Sequence, residues 1–271
     1  MIDLINIVQF IEKFRRRKTE REIIGLVYPY DAIQRVIHRY NFAYKHGKGK
    51  VLEIGCGEGY GLSYLSRNAE IIVGGDYSFE TLIKSKEKNY CKNNIEYVCL
   101  DAQRLPFQDN TFDTVLALEL IEHLINPKAF LKEVRRVLKS SGVLILSTPN
   151  GEVKRPIEPY HTKLFTVKEL VDVLKSCGFN KIDVYAFPRD REEIYIIALI
   201  KYIVDSLLDM LLTDIKKYNL FRKLAYKLCG VSYVVFDGIN EKLLDSTFAP
   251  RSLEEIKSAG LKPWDLIIIA K

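Results

Sequence analysis

A run of glycines on alternate positions, placed directly after a short apolar segment, restricts the fold of this chain most. Residues 51–61 read Val-Leu-Glu-Ile-Gly-Cys-Gly-Glu-Gly-Tyr-Gly, and a helical pattern containing Leu62 and Leu65 follows at once. This order predicts a buried strand, a tight turn and a helix N-terminus. Because glycine has no Cβ atom, it permits the turn and lets a ligand approach the backbone closely.

The glycine spacing does not fit a nicotinamide-binding turn. Counted from Gly55, the Gly-x-Gly-x-x-Gly fingerprint requires a third glycine at position 60, where Tyr60 stands. Glu53, two residues before the first glycine, has the wrong charge to lie beside a pyrophosphate. A carboxylate at this place favours a cationic or amine-bearing ligand.

The chain continues as a regular alternation of strands and helices. Strands are predicted at 50–54, 70–76, 95–100, 112–118, 143–148, 181–187 and 264–270, with helices at about 58–68, 79–90, 127–139 and 167–177. Such alternation predicts an α/β fold with a doubly wound, mostly parallel, seven-stranded sheet covered by helices on both faces. Ligands of such sheets bind beyond the carboxyl ends of the strands.

The pattern divides the chain into four segments. These are an N-terminal helical lid at 1–47, a core at 48–187, a mainly helical insertion or cap at 188–262, and a final core strand at 263–271. Residues 2–14 are amphipathic and lead into basic residues at 13–18, which predicts either a helix packed on the core or an interfacial helix on anionic lipid. The strongly apolar part of the insertion would roof the active site, form a dimer interface or meet a membrane.

The ordered motifs resemble the class I S-adenosylmethionine-dependent methyltransferases, and within them the type-11 methyltransferase family. The resemblance begins with Glu-x-Gly-x-Gly-x-Gly at 53–59 and continues through Asp76, Asp101 and 117–123 to about Phe187. It implies a Rossmann-like sheet, the cofactor S-adenosyl-L-methionine and methyltransferase activity. Asp76 would bind the ribose hydroxyls, Asp101 and Ala102 the adenine edge, and Glu53 would order the loop or meet the ligand amine. The expected cofactor-binding residues are Glu53, Gly55, Cys56, Gly57, Gly59, Asp76, Tyr77, Asp101, Ala102 and Glu119.

A group of acids and histidines after the fourth core strand suggests the chemistry of the acceptor side. Glu119, Glu122 and His123 would converge on a helix, and His161 follows the fifth core strand. Carboxylates and imidazoles together suit Mg²⁺ or Mn²⁺. The arrangement resembles the metal sites of ubiquinone-pathway O-methyltransferases and small-RNA 2′-O-methyltransferases, although the position of His161 before Phe165 is more like general type-11 enzymes.

Two interpretations of this group remain open. In the first, Glu119, Glu122, His123 and His161 bind a divalent ion. In the second there is no metal: Glu119 touches the cofactor, while Glu122 and His123 cap and pack the following turn. His161 and His123 are then the candidate catalytic bases, because histidine alone titrates near neutral pH without perturbation.

Candidate acceptor-binding residues lie before the glycine turn and after the fifth core strand. They are Arg39, Tyr40, Asn150 and Tyr160. Three segments, 39–43, 57–61 and 147–150, resemble methyltransferases of surface-glycan biosynthesis, which predicts O-methylation of a glycan or small-molecule hydroxyl. The alternatives are a quinone or other small-molecule methyltransferase, an RNA 2′-O-methyltransferase, and a non-catalytic cofactor-binding scaffold that docks a partner or a membrane.

The charged residues and the cysteines restrict which binding partners and which cellular location are expected. The chain has 41 basic and 35 acidic residues, a net charge of +6 that mildly favours anionic partners. Nucleic acid is not expected, because the basic residues outside 13–18 are dispersed and no RNA-binding module is recognisable. Ala117-Leu118-Glu119-Leu120 replaces the signature of nucleobase amino-group methyltransferases. Five unclustered cysteines predict a reduced, cytoplasmic protein, with peripheral contact at the inner face of the membrane as the lipid-binding alternative.

Overall fold

The computed structural model describes residues 27–153, 160–189 and 244–271, the strand at 233–235, and the single positions 220, 223, 239 and 242. The predicted amphipathic helix at 2–14, the basic cluster at 13–18 and most of the predicted insertion lie outside the described residues. Their suggested contacts with lipid or with the core therefore stay predictions. None of the described helices combines the length and apolarity needed to span a bilayer.

The chain divides into two compact units. The first comprises 1–33, 154–159 and 191–237, and its described part includes an antiparallel pair of strands, β1 (Val27–Pro29) and β8 (Tyr233–Val235). The second comprises 34–153, 160–190 and 238–271 and contains every site residue predicted above. Residues 238–262 of the predicted insertion and 34–47 of the predicted lid thus belong to the same unit as the core.

The second unit is organised around one large sheet. Its strands are β2 (Gly49–Ile54), β3 (Ala69–Asp76), β4 (Ile95–Cys99), β5 (Phe112–Leu118), β6 (Leu138–Pro149), β7 (Ile182–Arg189), β9 (Arg251–Ser252) and β10 (Lys262–Ala270). Their spatial order is β4-β3-β2-β5-β6-β10-β7-β9. Neighbours from β4 to β6 pair in parallel, and β10 is antiparallel to both β6 and β7. The predicted doubly wound sheet is confirmed, and the two-residue β9 adds an eighth strand beside β7.

The described α-helices are α1 (Tyr30–His46), α2 (Leu62–Leu65), α3 (Phe79–Lys88), α4 (Pro127–Val137), α5 (Val167–Ser176) and α6 (Leu253–Ser258). Short 3-10 helices cover Ile121–His123 and Ser246–Phe248. Side-chain caps explain several starts: Ser78 accepts from the Thr81 N–H at α3, and Thr166 forms a capping box with Glu169 at α5.

The helix after the glycine turn is much shorter than the predicted 58–68. Gly57 and Gly59 have φ values of 55° and 69°, which lie in the left-handed region and cannot be part of a right-handed helix. The turn therefore extends to Gly61, and α2 begins only at Leu62.

The core lies on both faces of the sheet, since the consecutive residues Val115 and Leu116 of β5 point to opposite faces and are both buried. Val115 of β5 and Leu144 of β6 are fully buried, as are Phe130 of α4 and Leu170 of α5. Burying a side chain of this size contributes roughly 1.5–3 kcal/mol each. This packing fixes the sheet whose carboxyl edge carries the predicted site residues.

Candidate functional site

The glycine loop joins β2 to α2 in a conformation that only glycine adopts readily. Gly55, Gly57 and Gly59 all have positive φ, at 77°, 55° and 69°. The backbone N–H groups of Gly55 and Cys56 donate to the carbonyl oxygen of Gly75 in β3, at 2.7 and 3.1 Å. The loop is thus anchored to the neighbouring strand, and the buried Cys56 thiol lies 3.7 Å from the Gly57 carbonyl oxygen.

Two helices pack closely against this loop. A Cβ atom added at Gly59 would lie 1.8 Å from Ser85 Oγ of α3, and one added at Gly61 would lie 1.8 Å from the Tyr40 ring of α1. Such distances are impossible without movement of the neighbour. The predicted requirement for glycine is therefore explained by close packing against protein as well as by room for a ligand.

Asp76 ends β3 with a buried carboxylate that supports the loop. Oδ2 accepts from the Gly57 N–H at 3.0 Å, and Oδ1 accepts from the Ser78 N–H at 2.9 Å. The carboxylate is therefore held next to the glycine loop, and its role in ribose binding stays a prediction.

Glu53 lies below the loop with a carboxyl group that is only half satisfied. Its exposure is 1%, and Oε1 accepts from the Tyr40 hydroxyl at 2.7 Å. Among the described residues, Oε2 has no hydrogen-bond partner. Burial raises the pKa of Glu53 to about 7, with the Asp76 charge adding to the rise and the Tyr40 hydrogen bond opposing it. A cationic N–H donor such as the ammonium of S-adenosylmethionine would satisfy Oε2, so these residues fit that cofactor.

The residues expected near the adenine follow the next two strands. Asp101 is exposed after β4, and its Oδ1 accepts from the Gln103 N–H at 2.8 Å. Ala102 is buried beside it, whereas Tyr77, which follows β3, is 81% exposed. An exposed aromatic side chain and an exposed carboxylate at adjacent strand ends have the chemistry to hold an adenine base.

Glu119 follows β5 with a left-handed backbone, φ 53°. Its Oε1 accepts from Ser147 Oγ at 2.9 Å, and its Oε2 lies 3.0 Å from Arg39 Nη2. The prediction that Glu119, Glu122 and His123 share one helix is wrong. The left-handed φ of Glu119 cannot be part of a right-handed helix, and the 3-10 helix begins only at Ile121. The Glu119 carboxylate consequently pairs with Arg39 and does not join Glu122 and His123.

Arg39 was expected to contact the acceptor and instead lies inside the protein. Its side chain is 7% exposed, and Nη2 lies 2.9 Å from Oδ2 of Asp265 in β10. Arg35, one turn earlier in α1, pairs with the same Asp265 oxygen at 3.2 Å. Because its guanidinium serves two acids in this network, the structure gives no support to Arg39 as an acceptor ligand.

Asn150 and Tyr40 are likewise engaged by protein. Asn150 is fully buried, its Nδ2 donates to the Pro263 carbonyl at 2.9 Å, and its Oδ1 accepts from the Glu152 N–H at 3.1 Å. The amide nitrogen therefore holds the chain after β6 against β10, and the amide oxygen closes the local turn that contains Glu152. Tyr40 is buried against the glycine loop, where its hydroxyl donates to Glu53 Oε1, and its contact with an acceptor stays a prediction.

The structure brings together Glu122, His123 and His161, which form the acid–histidine group. One ligand atom from each lies within 4.8 Å of the others, and the two imidazole rings are 5.0 Å apart. The Glu122 carboxyl is buried and accepts from Thr148 Oγ1 at 3.0 Å. Burial, followed by repulsion from Glu119, raises the pKa of Glu122 well above its ordinary value. Glu119 is not a member of this group.

Backbone contacts bring His161 to the group. The Thr162 N–H donates to the Glu122 carbonyl at 2.7 Å, and Thr162 Oγ1 donates to the Leu124 carbonyl at 2.8 Å. His123 Nδ1 lies 3.2 Å from the Tyr160 carbonyl oxygen. Tyr160 thus contributes to the site through its backbone, and its side chain stays a predicted acceptor contact.

Three supporting residues were missed by the sequence interpretation. Ser147 and Thr148 hold Glu119 and Glu122, and their signal was available, since both are hydroxyl side chains at the carboxyl end of a buried strand. Asp265 gave no comparable signal, because a lone acid in the last strand has no sequence relation to Arg39.

Comparison with known proteins agrees with this geometry. The family model of the type-11 methyltransferase domain matches residues 52–146. A probable S-adenosylmethionine-dependent methyltransferase of Mycobacterium tuberculosis is 36% identical over 134 residues, which is 48% of this chain and 48% of that protein. A ubiquinone biosynthesis O-methyltransferase of Coxiella burnetii is 36% identical over 111 residues, 40% of this chain and 47% of that protein. The chain spans about half the length of the curated relatives it matches.

Solved structures share the fold. The [4+2]-cyclase SpnF aligns with a TM-score of 0.55 and 17% identity, covering 99% of this chain and 91% of that one. A SAM-dependent methyltransferase from Archaeoglobus fulgidus aligns with a TM-score of 0.50 and 20% identity, covering 98% and 99%.

The sequence match and the sheet order agree with each other. Residues 52–146 match the type-11 methyltransferase domain, and the named relatives are S-adenosylmethionine-dependent enzymes. The resemblance read from its motifs is confirmed. Because one fold hosts a cyclase as well as methyltransferases, the reaction must be argued from the site.

Proposed function

We propose that this protein transfers the methyl group of S-adenosyl-L-methionine to a hydroxyl oxygen of a small-molecule or glycan acceptor. The observation that carries the proposal is the acid–histidine group at the carboxyl edge of the sheet. The segment leading to it touches the glycine loop, since a Cβ atom added at Gly55 would lie 3.2 Å from the Leu120 side chain. The candidate base His123 therefore lies three residues after Leu120, which contacts the glycine loop.

The loop side would hold the cofactor. S-Adenosylmethionine supplies a methyl group on a sulfonium, a carbon already activated for in-line displacement. Glu53 would offer its unsatisfied oxygen to the ammonium, and the Asp76 carboxylate, held beside the loop by the Gly57 N–H, would accept from the ribose hydroxyls. Tyr77 and Asp101 would hold the adenine at the adjacent strand ends. Binding and orientation by these residues can supply much of the rate acceleration.

The acid–histidine group would supply the base. A hydroxyl oxygen becomes a good nucleophile only as it loses its proton, and an imidazole near neutrality can accept that proton. His123 and His161 lie side by side, and Thr162 fixes the latter through contacts to residues 122 and 124. As the oxygen–carbon bond forms, the carbon–sulfur bond breaks with its electron pair left on sulfur, and the hydroxyl proton moves to the imidazole.

Oxygen as the methylated atom is supported by relatives. Two of them are named for O-methylation, the ubiquinone biosynthesis enzyme and a malonyl-[acyl-carrier protein] O-methyltransferase of Marinomonas sp., which is 36% identical over 100 residues, 36% of this chain and 37% of that protein. The motifs at 39–43, 57–61 and 147–150 favour a sugar hydroxyl. A quinone or other small-molecule hydroxyl is the second choice, followed by an RNA 2′-hydroxyl.

A divalent cation at the acid–histidine group is a second candidate, favoured by the mutual approach of its three ligand atoms. A carboxylate and two imidazoles suit Mn²⁺ or Mg²⁺ when all three are deprotonated. The ion would lower the pKa of a bound acceptor hydroxyl, and the histidines would then be ligands instead of bases.

Calorimetry decides between the main alternatives. Wild type and Asp76→Ala are titrated with S-adenosylmethionine and S-adenosylhomocysteine, with and without Mg²⁺ or Mn²⁺. We expect Asp76→Ala to weaken cofactor binding tenfold or more, which is about 1.4 kcal/mol. Well-folded wild type that binds neither compound would overturn the enzyme proposal and leave the scaffold alternative. Metal binding that is lost in Glu122→Gln would establish the cation.

A further inference from the structure

The contact between Tyr40 and Glu53 joins the helix before the core to the floor of the glycine loop. We infer that Glu53 is protonated in the cofactor-free protein and releases its proton to solvent when the cationic cofactor binds. We further infer that Tyr40 is a positioning residue that sets how readily this happens. The inference rests on the proposed function, because it takes S-adenosylmethionine as the ligand of the loop.

The environment of the carboxyl group disfavours its ionised form. Glu53 is 1% exposed, and the Tyr40 hydroxyl is its one hydrogen-bond donor among the described residues. An ionised carboxylate in this place has lost its water and regained a single neutral hydrogen bond, a penalty of several kcal/mol. Protonation removes the charge and most of that penalty. The raised pKa of about 7, caused chiefly by burial, agrees with this argument.

The charged and titratable groups described around Glu53 do not stabilise its ionised form by a positive charge. Within the described part of the chain, the titratable groups that influence it are Tyr40 of α1 and Asp76 of β3. The residues opposite Glu53 in the flanking strands are Gly74 of β3 and Leu116 of β5, which carry no charge. The Asp76 carboxylate disfavours a second negative charge nearby. None of these described groups is a cation that would stabilise an ionised Glu53, so a cationic ligand would supply the missing positive charge.

Binding of the cationic cofactor would replace the proton on Glu53 with an ion pair. The ammonium of the cofactor supplies both a positive charge and N–H donors, and these favour the carboxylate form. A neutral carboxyl and a cation become an ion pair, and one proton leaves for solvent. Charge and atoms balance without any further reactant.

The role of Tyr40 follows from its packing. Its ring lies against the backbone of Gly61, where an added Cβ would be 1.8 Å away, and meets the Tyr60 ring edge-on at 5.6 Å. The hydroxyl is thereby fixed at 2.7 Å from Glu53 Oε1. A hydrogen bond to a carboxylate is stronger than one to a neutral carboxyl, so this hydroxyl favours the state reached on binding.

Proton release is measured by titrating S-adenosylhomocysteine into the full chain at pH 6, in two buffers that differ in ionisation enthalpy. At this pH the amine of the ligand is protonated before and after binding. With a pKa of about 7 in the free protein, Glu53 is mostly protonated at pH 6, so wild type should release most of one proton per ligand. Glu53→Gln should lack this release. Equal proton release in the two proteins overturns the inference.

Tyr40→Phe provides a second measurement if Glu53→Gln binds too weakly. The variant keeps the ring and removes only the hydroxyl. Its affinity should be weaker than that of wild type by about tenfold at pH 6, where the bond to a carboxylate is gained on binding. The difference should shrink towards none by pH 9, where Glu53 is ionised in both states.

The outcomes separate the inference from the proposed function. A Tyr40→Phe loss of the same size at both pH values would show a merely structural Tyr40 and overturn its positioning role. Wild type that binds no S-adenosylhomocysteine at any pH overturns the proposed function itself. Binding with no pH-dependent difference between the proteins leaves the cofactor site intact and removes only the inference.

Discussion

The Arg39 guanidinium lies 3.0 Å from the Glu119 carboxylate, which joins helix α1 to the strand end that begins the acid–histidine group. The same nitrogen serves Asp265 of β10 at 2.9 Å. The Arg39 guanidinium therefore pairs with two acids from distant parts of the chain, and Arg35 is a second cation at Asp265. This arrangement leads to the first of four predictions.

Arg39→Met should destabilise the protein by about 3 kcal/mol, the lower end of the range for a broken buried pair, because Glu119 loses this cation while Asp265 keeps its pair with Arg35. Urea unfolding measures the loss. Lys139→Met is the matched control, since its pair with Asp113 is far more exposed, at 39% and 32%, and should contribute about 0–1 kcal/mol. Equal effects of the two variants would contradict the importance given to burial.

Gly59→Ala should weaken S-adenosylhomocysteine binding by at least about tenfold, because its Cβ would collide with Ser85 Oγ in addition to the left-handed strain. Gly260→Ala is the control. Gly260 has the same φ of +69°, yet no atom lies within 4 Å of an added Cβ. Calorimetry of both variants separates strain from collision, and wild-type affinity in Gly59→Ala would argue that the loop tolerates displacement.

His161→Ala and His123→Ala should reveal the base. Removal of the general base should lower the rate of methyl transfer by about 10²–10⁴-fold, while cofactor affinity stays within a factor of about two. His46→Ala, at the exposed end of α1, should leave the rate unchanged. Rates are measured as S-adenosylhomocysteine formed with an acceptor found by screening sugar and quinone hydroxyls. Full activity in both variants would exclude this group as the source of the base.

The stability of the cofactor-free protein should fall as pH rises from about 4.5 to 7. Glu53 has its pKa raised from 4.5 to about 7 by burial, so in this window the folded state binds more protons than the unfolded state. Stability therefore decreases with pH, by up to about 3 kcal/mol from this group in total. Urea unfolding at pH 5 and pH 8 tests it.

Glu53→Gln is the comparison for that measurement, because glutamine does not titrate. The stability of wild type relative to the variant should be higher at pH 5 than at pH 8. A difference between the two proteins that does not change with pH would contradict the protonated state assigned to Glu53.

The arrangement of the sheet followed from local patterns. Continuous apolar runs at β2, β5 and β6 predicted buried parallel strands, and the glycines with Glu53 predicted a loop for a cationic ligand. These features are visible in the sequence because hydrophobic period and backbone permissiveness act over a few residues. The geometry of the glycine loop was therefore accessible to sequence reasoning, and its ligand contacts stay predictions.

The acceptor side was less accessible, because long-range contacts decide it. A helical spacing was assumed for Glu119, Glu122 and His123, yet the left-handed backbone of Glu119 turns its side chain to Arg39. Arg39 itself looked like a ligand contact, since nothing in its own segment points to Asp265 in the last strand. His161 joins the group through Thr162, a residue with no motif of its own.

The position of β10 has a consequence for how the protein is made on the ribosome. This strand lies between β6 and β7, and its Asp265 is the partner of an arginine 226 residues earlier. At typical elongation rates, roughly 10–45 s separate the synthesis of the two residues. Until β10 emerges, the facing edges of β6 and β7 have no partner strand, and open edges invite pairing with other chains. The nascent chain therefore depends on β10 to join β7 to the sheet, after every residue of the proposed site has been synthesised.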